Sequence, residues 1–178
     1  CKRKYFVSTI ILMVICITRV GAQNVSVSQL IMVPKLAMKD LKKISILIQE
    51  KDLNTKLKNE INRSAAQGGL EVTLYPVSSS SDLGKTIKRL STKSLLVVYP
   101  SELLIRNSSV LYVLSRCKAK KIGVIAASDM YSEKGALLGL YKENNKFTVA
   151  LNLKMNPYYQ TTFTEDVIQQ VGINKVIK

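Results

Sequence analysis

The side chains able to do chemistry are carboxylates and hydroxyls gathered at four places: Glu50-Lys51-Asp52, Ser78-Ser79-Ser80-Ser81-Asp82, Pro100-Ser101-Glu102 and Ala127-Ser128-Asp129. Hydroxyls beside a helix start can hold a polar or anionic solute together with free backbone N–H groups. The same residue types also cap helices by accepting from those N–H groups, so capping is the competing role at each position. Asp52, Glu102 and Asp129 would suit Mg²⁺ if they converged, because hard cations take carboxylate oxygens, but three cap-type acids are ordinary near helix starts. The chain has 178 residues and no His, which excludes a Ser-His-Asp triad, a histidine general base and most zinc or transition-metal sites. G-x-G-x-x-G, G-x-x-x-x-G-K-[ST] and G-x-S-x-G are all missing, removing the usual signatures of dinucleotide, nucleotide and hydrolase chemistry. The expectation is a non-catalytic protein with no cofactor and no metal. Its candidate ligand-binding residues are Ser79, Ser80, Ser101, Ser128 and Asp129.

Those loops need elements to hold them. With 47% hydrophobic and 22% charged residues the chain can bury a core, and its length fits one domain of roughly 100–200 residues. From Ile44 onward the hydrophobic period switches repeatedly between strand and helix. Ile44–Ile48, Leu70–Val77, Ser94–Tyr99 and Lys121–Ala126 read as strands. Between them lie helices: one capped by Asp52 with Leu53, Leu57, Ile61 and Ala65 on a face, one with Leu83, Ile87 and Leu90, and one over about 109–118. Apolar strands joined by helices predict a parallel sheet covered on both faces. Ala136–Tyr141 and Lys146–Leu153 around Glu143-Asn144-Asn145 predict an antiparallel hairpin, and Thr164 caps a short last helix stopped by Gly172. The fold class is α/β: a three-layer sandwich with a mainly parallel, Rossmann- or flavodoxin-like sheet and a C-terminal antiparallel hairpin. Ligands of open α/β sheets bind beyond the strands' carboxyl ends, where the four polar loops fall.

Residues 1–22 read as a signal peptide: Lys2, Arg3 and Lys4, an apolar run from Tyr5 to Thr18, and small residues at Gly21 and Ala22. The run falls short of the roughly 20 residues that span a bilayer. Cleavage after Ala22 and a periplasmic or secreted location are expected. Cleavage would remove Cys1 and Cys16, leaving Cys117 alone on the apolar face of its helix, a buried thiol rather than a reactive one. Residues 23–43, interrupted by Pro34, read as an extended or irregular lead-in, and 44–178 as a single α/β domain. The formal charge is +15, yet Lys and Arg are scattered along helix faces with no nucleic-acid motif, so no nucleic-acid partner is expected.

The segments ISILIQEKDLNTKLKNEINRSAAQGGLEVTLYPVSSSSDLGKTIKRL, LLVVYPSELL and IGVIAASDMYSEKGALLGLY, within residues 44–141, resemble ABC-type periplasmic substrate-binding proteins of the tryptophan/tyrosine-binding kind. The resemblance rests on G-L-E-V, the serine-rich S-S-S-D-L segment, A-S-D and K-G-A-L in that order. It implies one lobe of a two-lobed fold, an extracytoplasmic location and delivery of a small solute to a membrane permease. The end of the chain, LLGLYKENNKFTVALNLKMN, resembles the closing hairpin of YfiR-like periplasmic proteins, which implies a regulator that contacts a membrane receptor. The paired cysteines of that second family are not matched. Two roles follow: a periplasmic sensor or regulator engaging a membrane protein, or a one-lobe substrate-binding component of an ABC transporter. A small polar or anionic solute and a homodimer that restores a cleft are the partners expected of either.

Overall fold

The computed structural model describes residues 25–144 and 146–178. The signal peptide expected over 1–22 lies outside them. The chain opens with helix α1 (Val27–Ala37) where an extended lead-in was expected. Ser26 and Gln29 form a reciprocal capping box, and Val27, Leu30, Ile31, Pro34 and Ala37 bury one stripe. Pro34 misleads because proline usually ends a helix. Here it lies in the last turn, where Met38 N–H bonds its carbonyl and Lys35 Nζ donates to the carbonyls of Lys39 and Leu41.

Strand and helix then alternate: β1 (Lys43–Gln49), a 3₁₀ turn (Glu50–Asp52), α2 (Thr55–Gly68), β2 (Glu71–Val77), α3 (Ser80–Arg89) and β3 (Leu95–Val98). They are followed by α4 (Asn107–Ala119), β4 (Gly123–Ala126), α5 (Asp129–Glu133), β5 (Leu138–Glu143) and β6 (Lys146–Asn152). A 3₁₀ turn (Pro157–Tyr159), α6 (Glu165–Val171) and β7 (Lys175–Ile177) complete the chain. The cap of α2 is Asn54, whose side chain accepts from Leu57 N; Asp52, expected there, falls in the preceding 3₁₀ turn. Gly69, at φ 60, closes α2 in the left-handed conformation that favours glycine.

The strands form one seven-stranded sheet in the order β2-β1-β3-β4-β5-β6-β7. Pairings among β1 to β5 are parallel, β5 and β6 are antiparallel, and β6 and β7 are parallel. The expected hairpin therefore forms, in register Leu138↔Leu151 to Glu143↔Lys146. Strand β7 was not legible; three residues carry no period, and it is placed by Asn174, which accepts from Val149 N and donates to Phe147 O.

The two faces carry separate cores. Ile44, Ile46 and Ile48 of β1 pack with α1, α2 and the α6 region, whereas Leu96, Val98, Val124 and Ala126 pack with α3, α4 and α5. This is the three-layer sandwich. The central strands β3 and β4 are buried at every position, as expected of parallel strands covered on both sides. Close approach fixes Gly139 on β5: a Cβ there would lie 2.5 Å from Ser132 Cβ, so only glycine lets α5 press on the sheet. Part of the basic charge is structural. Lys120 Nζ donates to the carbonyls of Ile87, Lys88 and Leu90, tying down the open end of α3.

Candidate functional site

The strand order reverses direction between β1 and β3, because α2 leaves β1 toward one face while α4 leaves β3 toward the other. A crevice opens at such a switch point, beyond the carboxyl ends of the two strands. At this switch point Gln49 and Ser101 meet. Gln49 Oε1 accepts from Leu103 N at 3.1 Å, and Gln49 N donates to Ser101 Oγ at 3.4 Å. Ser101 is buried, and its carbonyl accepts from Leu104 N and Ile105 N, so the loop after β3 turns tightly back across the end of β1.

Charge crosses the same crevice. Glu102 accepts from Lys51 Nζ at 2.6 Å and from Arg106 at 3.0 Å, linking the loop after β1 to the start of α4. The Lys51 hydrogen bond, then that of Arg106, holds the Glu102 carboxyl below its ordinary range, and Glu102 in turn raises Lys51. All three side chains are exposed, so the pairs add little to stability, and the cluster carries one net positive charge. Tyr99 stands half-buried at the end of β3, its phenol pushed upward by burial. Behind the loop, the buried Tyr131 hydroxyl of α5 donates to Leu104 O at 2.9 Å.

The five expected residues are divided by this arrangement. Ser101 belongs to the crevice, though buried and engaged with backbone. Ser79 is the N-cap of α3, accepting from Asp82 N at 3.2 Å, and Ser80 is exposed in its first turn. Ser78 donates to Asp82, and these two serines hold the Asp82 carboxyl below its usual range. Ser128 caps α5 through a 3.5 Å bond from Tyr131 N, and Asp129 Oδ1 accepts from its neighbour Met130 N. Strands β1 and β3 stand between β2 and β4, which places Ser79 and Ser80 about 14 Å in strand spacing from Ser128 and Asp129. Two separate caps thus flank one crevice. Asp52, Glu102 and Asp129 form no metal-binding group among the described residues. Gln49, Lys51 and Arg106 were missed as site residues. The Glu102–Arg106 spacing was a legible signal, whereas the partners across β1 and β3 depend on strand order.

No protein-family model matches the chain, and no curated protein sequence matches it. Solved structures share its fold. A conserved domain protein from Vibrio cholerae superposes with a TM-score of 0.71 at 16% identity, covering 84% of this chain and 60% of that one. An ABC domain from Streptococcus pneumonia, solved in complex with L-Trp, gives 0.66 at 16% identity with the same two coverages. A ligand-free, open substrate-binding protein with adhesive properties from Clostridium difficile gives 0.60 at 20% identity, covering 86% of this chain and 60% of that one. The chain therefore shares the fold of these three structures, and it spans 60% of the length of each of them. Among the described residues no helix is long and apolar enough to cross a membrane.

Proposed function

We propose that this chain is an exported, non-catalytic solute-binding-like domain that senses a small polar or anionic solute and engages a membrane protein as a regulator. The observation that carries the reading is the β1/β3 switch point, where Lys51 and Arg106 share the Glu102 carboxylate beside Gln49 and Ser101, leaving one net positive charge for an anion. A single open face buries less of a ligand than the 70–90% typical of closed pockets, so binding by one copy is weak. A homodimer, or the membrane partner itself, would supply the second wall. The likeness to substrate-binding folds equally suits the second reading, a substrate-binding component of an ABC transporter. Neighbouring genes separate the two: a permease and ATPase favour transport, and a membrane receptor or cyclase favours regulation.

Calorimetry of the monomeric protein with aromatic amino acids and simple anions tests the site. The reading expects binding weaker than micromolar that is lost in Lys51→Ala/Arg106→Ala and kept in Ser80→Ala. Tight binding by a strict monomer, or binding indifferent to both cations, removes it. Export is tested by mass spectrometry of the periplasmic fraction, where a mature chain starting near Gln23 is expected; an intact Tyr5–Thr18 segment held in the membrane would count against it.

A further inference from the structure

A cavity lies at the opposite end of the sheet from the switch point, against the starts of β4 and β5. It has a volume of about 210 Å³. Its floor is Leu114, Ile122 and Val124, and its walls are Leu111 of α4 and Met155 beyond β6. Leu111 and Met155 are 50% and 37% exposed, so the apolar lining is open to solvent rather than sealed into the core. Lys118 and Lys134 also line the cavity, and none of its lining residues is acidic. Neither lysine forms an ion pair among the described residues.

The far wall is set by backbone. Gly135, at φ 115, lies so close to Met155 that a Cβ would come within 3.2 Å of it. Asn156 Nδ2 donates to Gly135 O at 3.1 Å and to Asn152 O at 2.8 Å, and Asn152 Oδ1 accepts from Met155 N at 3.0 Å. These bonds fix the far wall, and the cavity has an apolar interior with cations as its only charges.

We propose that this cavity, distinct from the β1/β3 crevice, binds a small amphipathic anion: an apolar body lies between Leu111 and Met155, and its carboxylate meets Lys118 and Lys134. The volume holds roughly seven water-sized groups at about 30 Å³ each, which sets the ligand at the size of a short-chain carboxylic acid. The chemistry is snorkelled: apolar burial supplies attraction, and two ammonium groups select the sign of charge.

The probe is hexanoate, with hexylammonium as the charge-reversed control, titrated into the full chain and followed by amide chemical shifts. Hexanoate is expected to produce saturable shifts at Leu111, Leu114, Lys118, Gly135 and Met155 and none at 49–52 or 101–106. Hexylammonium is expected to produce none. Lys118→Glu/Lys134→Glu weakens hexanoate binding about tenfold or more, and Lys118→Arg/Lys134→Arg retains it. Equal binding of the two probes, absence of hexanoate shifts in the cavity, or unchanged affinity in the folded Glu variant overturns the proposal. Should the Glu variant fail to fold, the two-probe comparison on the unaltered chain decides alone. Shifts confined to the β1/β3 loops would support the crevice and count against the cavity, so the two readings fail separately.

Discussion

Replacing Tyr131 with Phe removes one atom from a fully packed site and should measurably loosen the loop that forms the crevice. Tyr131 is 1% exposed and Leu104 0%, and the phenol donates to Leu104 O at 2.9 Å. Phe fills the same ring volume, so the loss is the hydrogen bond, and Leu104 O keeps no donor from α5. Leaving a buried acceptor unsatisfied costs about 1–3 kcal/mol. In a chain of this size each kcal/mol lowers Tm by about 2–4 °C, giving an expected drop of roughly 2–12 °C. Tyr131→Ala adds a cavity and should cost more, about 3–5 kcal/mol. Urea and thermal unfolding followed by circular dichroism give the stabilities, and amide hydrogen exchange locates the change. The fastest added exchange should fall in 101–106, the segment held from behind by this strut. A Tyr131→Phe protein within about 0.3 kcal/mol of the parent, with unchanged exchange in that loop, would refute the strut and leave Ser101 and Gln49 as the supports of the loop.

Ser79→Ala should cost about 0.5–2 kcal/mol by removing the α3 cap, whereas Ser80→Ala, with no hydrogen bond from its side chain, stays within about 0.5 kcal/mol. Ser128→Ala belongs at the low end because its capping bond is 3.5 Å long. The triple Ala variant should show a lower denaturation midpoint and unchanged solute affinity; reduced affinity at an unchanged midpoint would return these serines to the binding rim. Burial pushes the Cys117 thiol up to about 12. An unfolded thiol releases its proton near 8.5, so above that pH the unfolded state binds fewer protons and stability falls as pH rises. The expected profile is full Cys117 contribution below about pH 8.5, then decline toward pH 12, with a flatter alkaline limb in Cys117→Ala. Labelling by a thiol reagent at neutral pH should follow unfolding, and rapid native-state labelling would contradict the burial.

The alternation of strand and helix was legible because each element carries its own period: Leu57, Ile61 and Ala65 on one side of α2, and the unbroken apolar runs of β3 and β4. The stop at Gly172 was legible for the same local reason, since it sits in the left-handed conformation that ends α6, as Gly69 does for α2. Helix α1 was not read, because Pro34 suggested an extended lead-in; the Ser26–Gln29 capping box and the buried stripe from Val27 to Ala37 hold it as a helix all the same. β7 was not, because a three-residue strand is defined by the edge it pairs with rather than by its own pattern.

The residues after each strand were evident from sequence, but their grouping was not. Serine and aspartate before a helix satisfy its free N–H groups in any α/β chain, so Ser79, Ser128 and Asp129 look alike whether or not a ligand is present. Strand order decided which loops meet. Placing β1 between β2 and β3 carries Ser79 away from Ser128, brings Gln49 to Ser101, and sets Lys51 and Arg106 on one carboxylate although 55 positions separate them. Short-range chemistry determines helices, strands, turns and caps because those forces act over a few residues. Only the packed sheet, whose register is a long-range choice, determines which of these cations and hydroxyls meet and which stay apart.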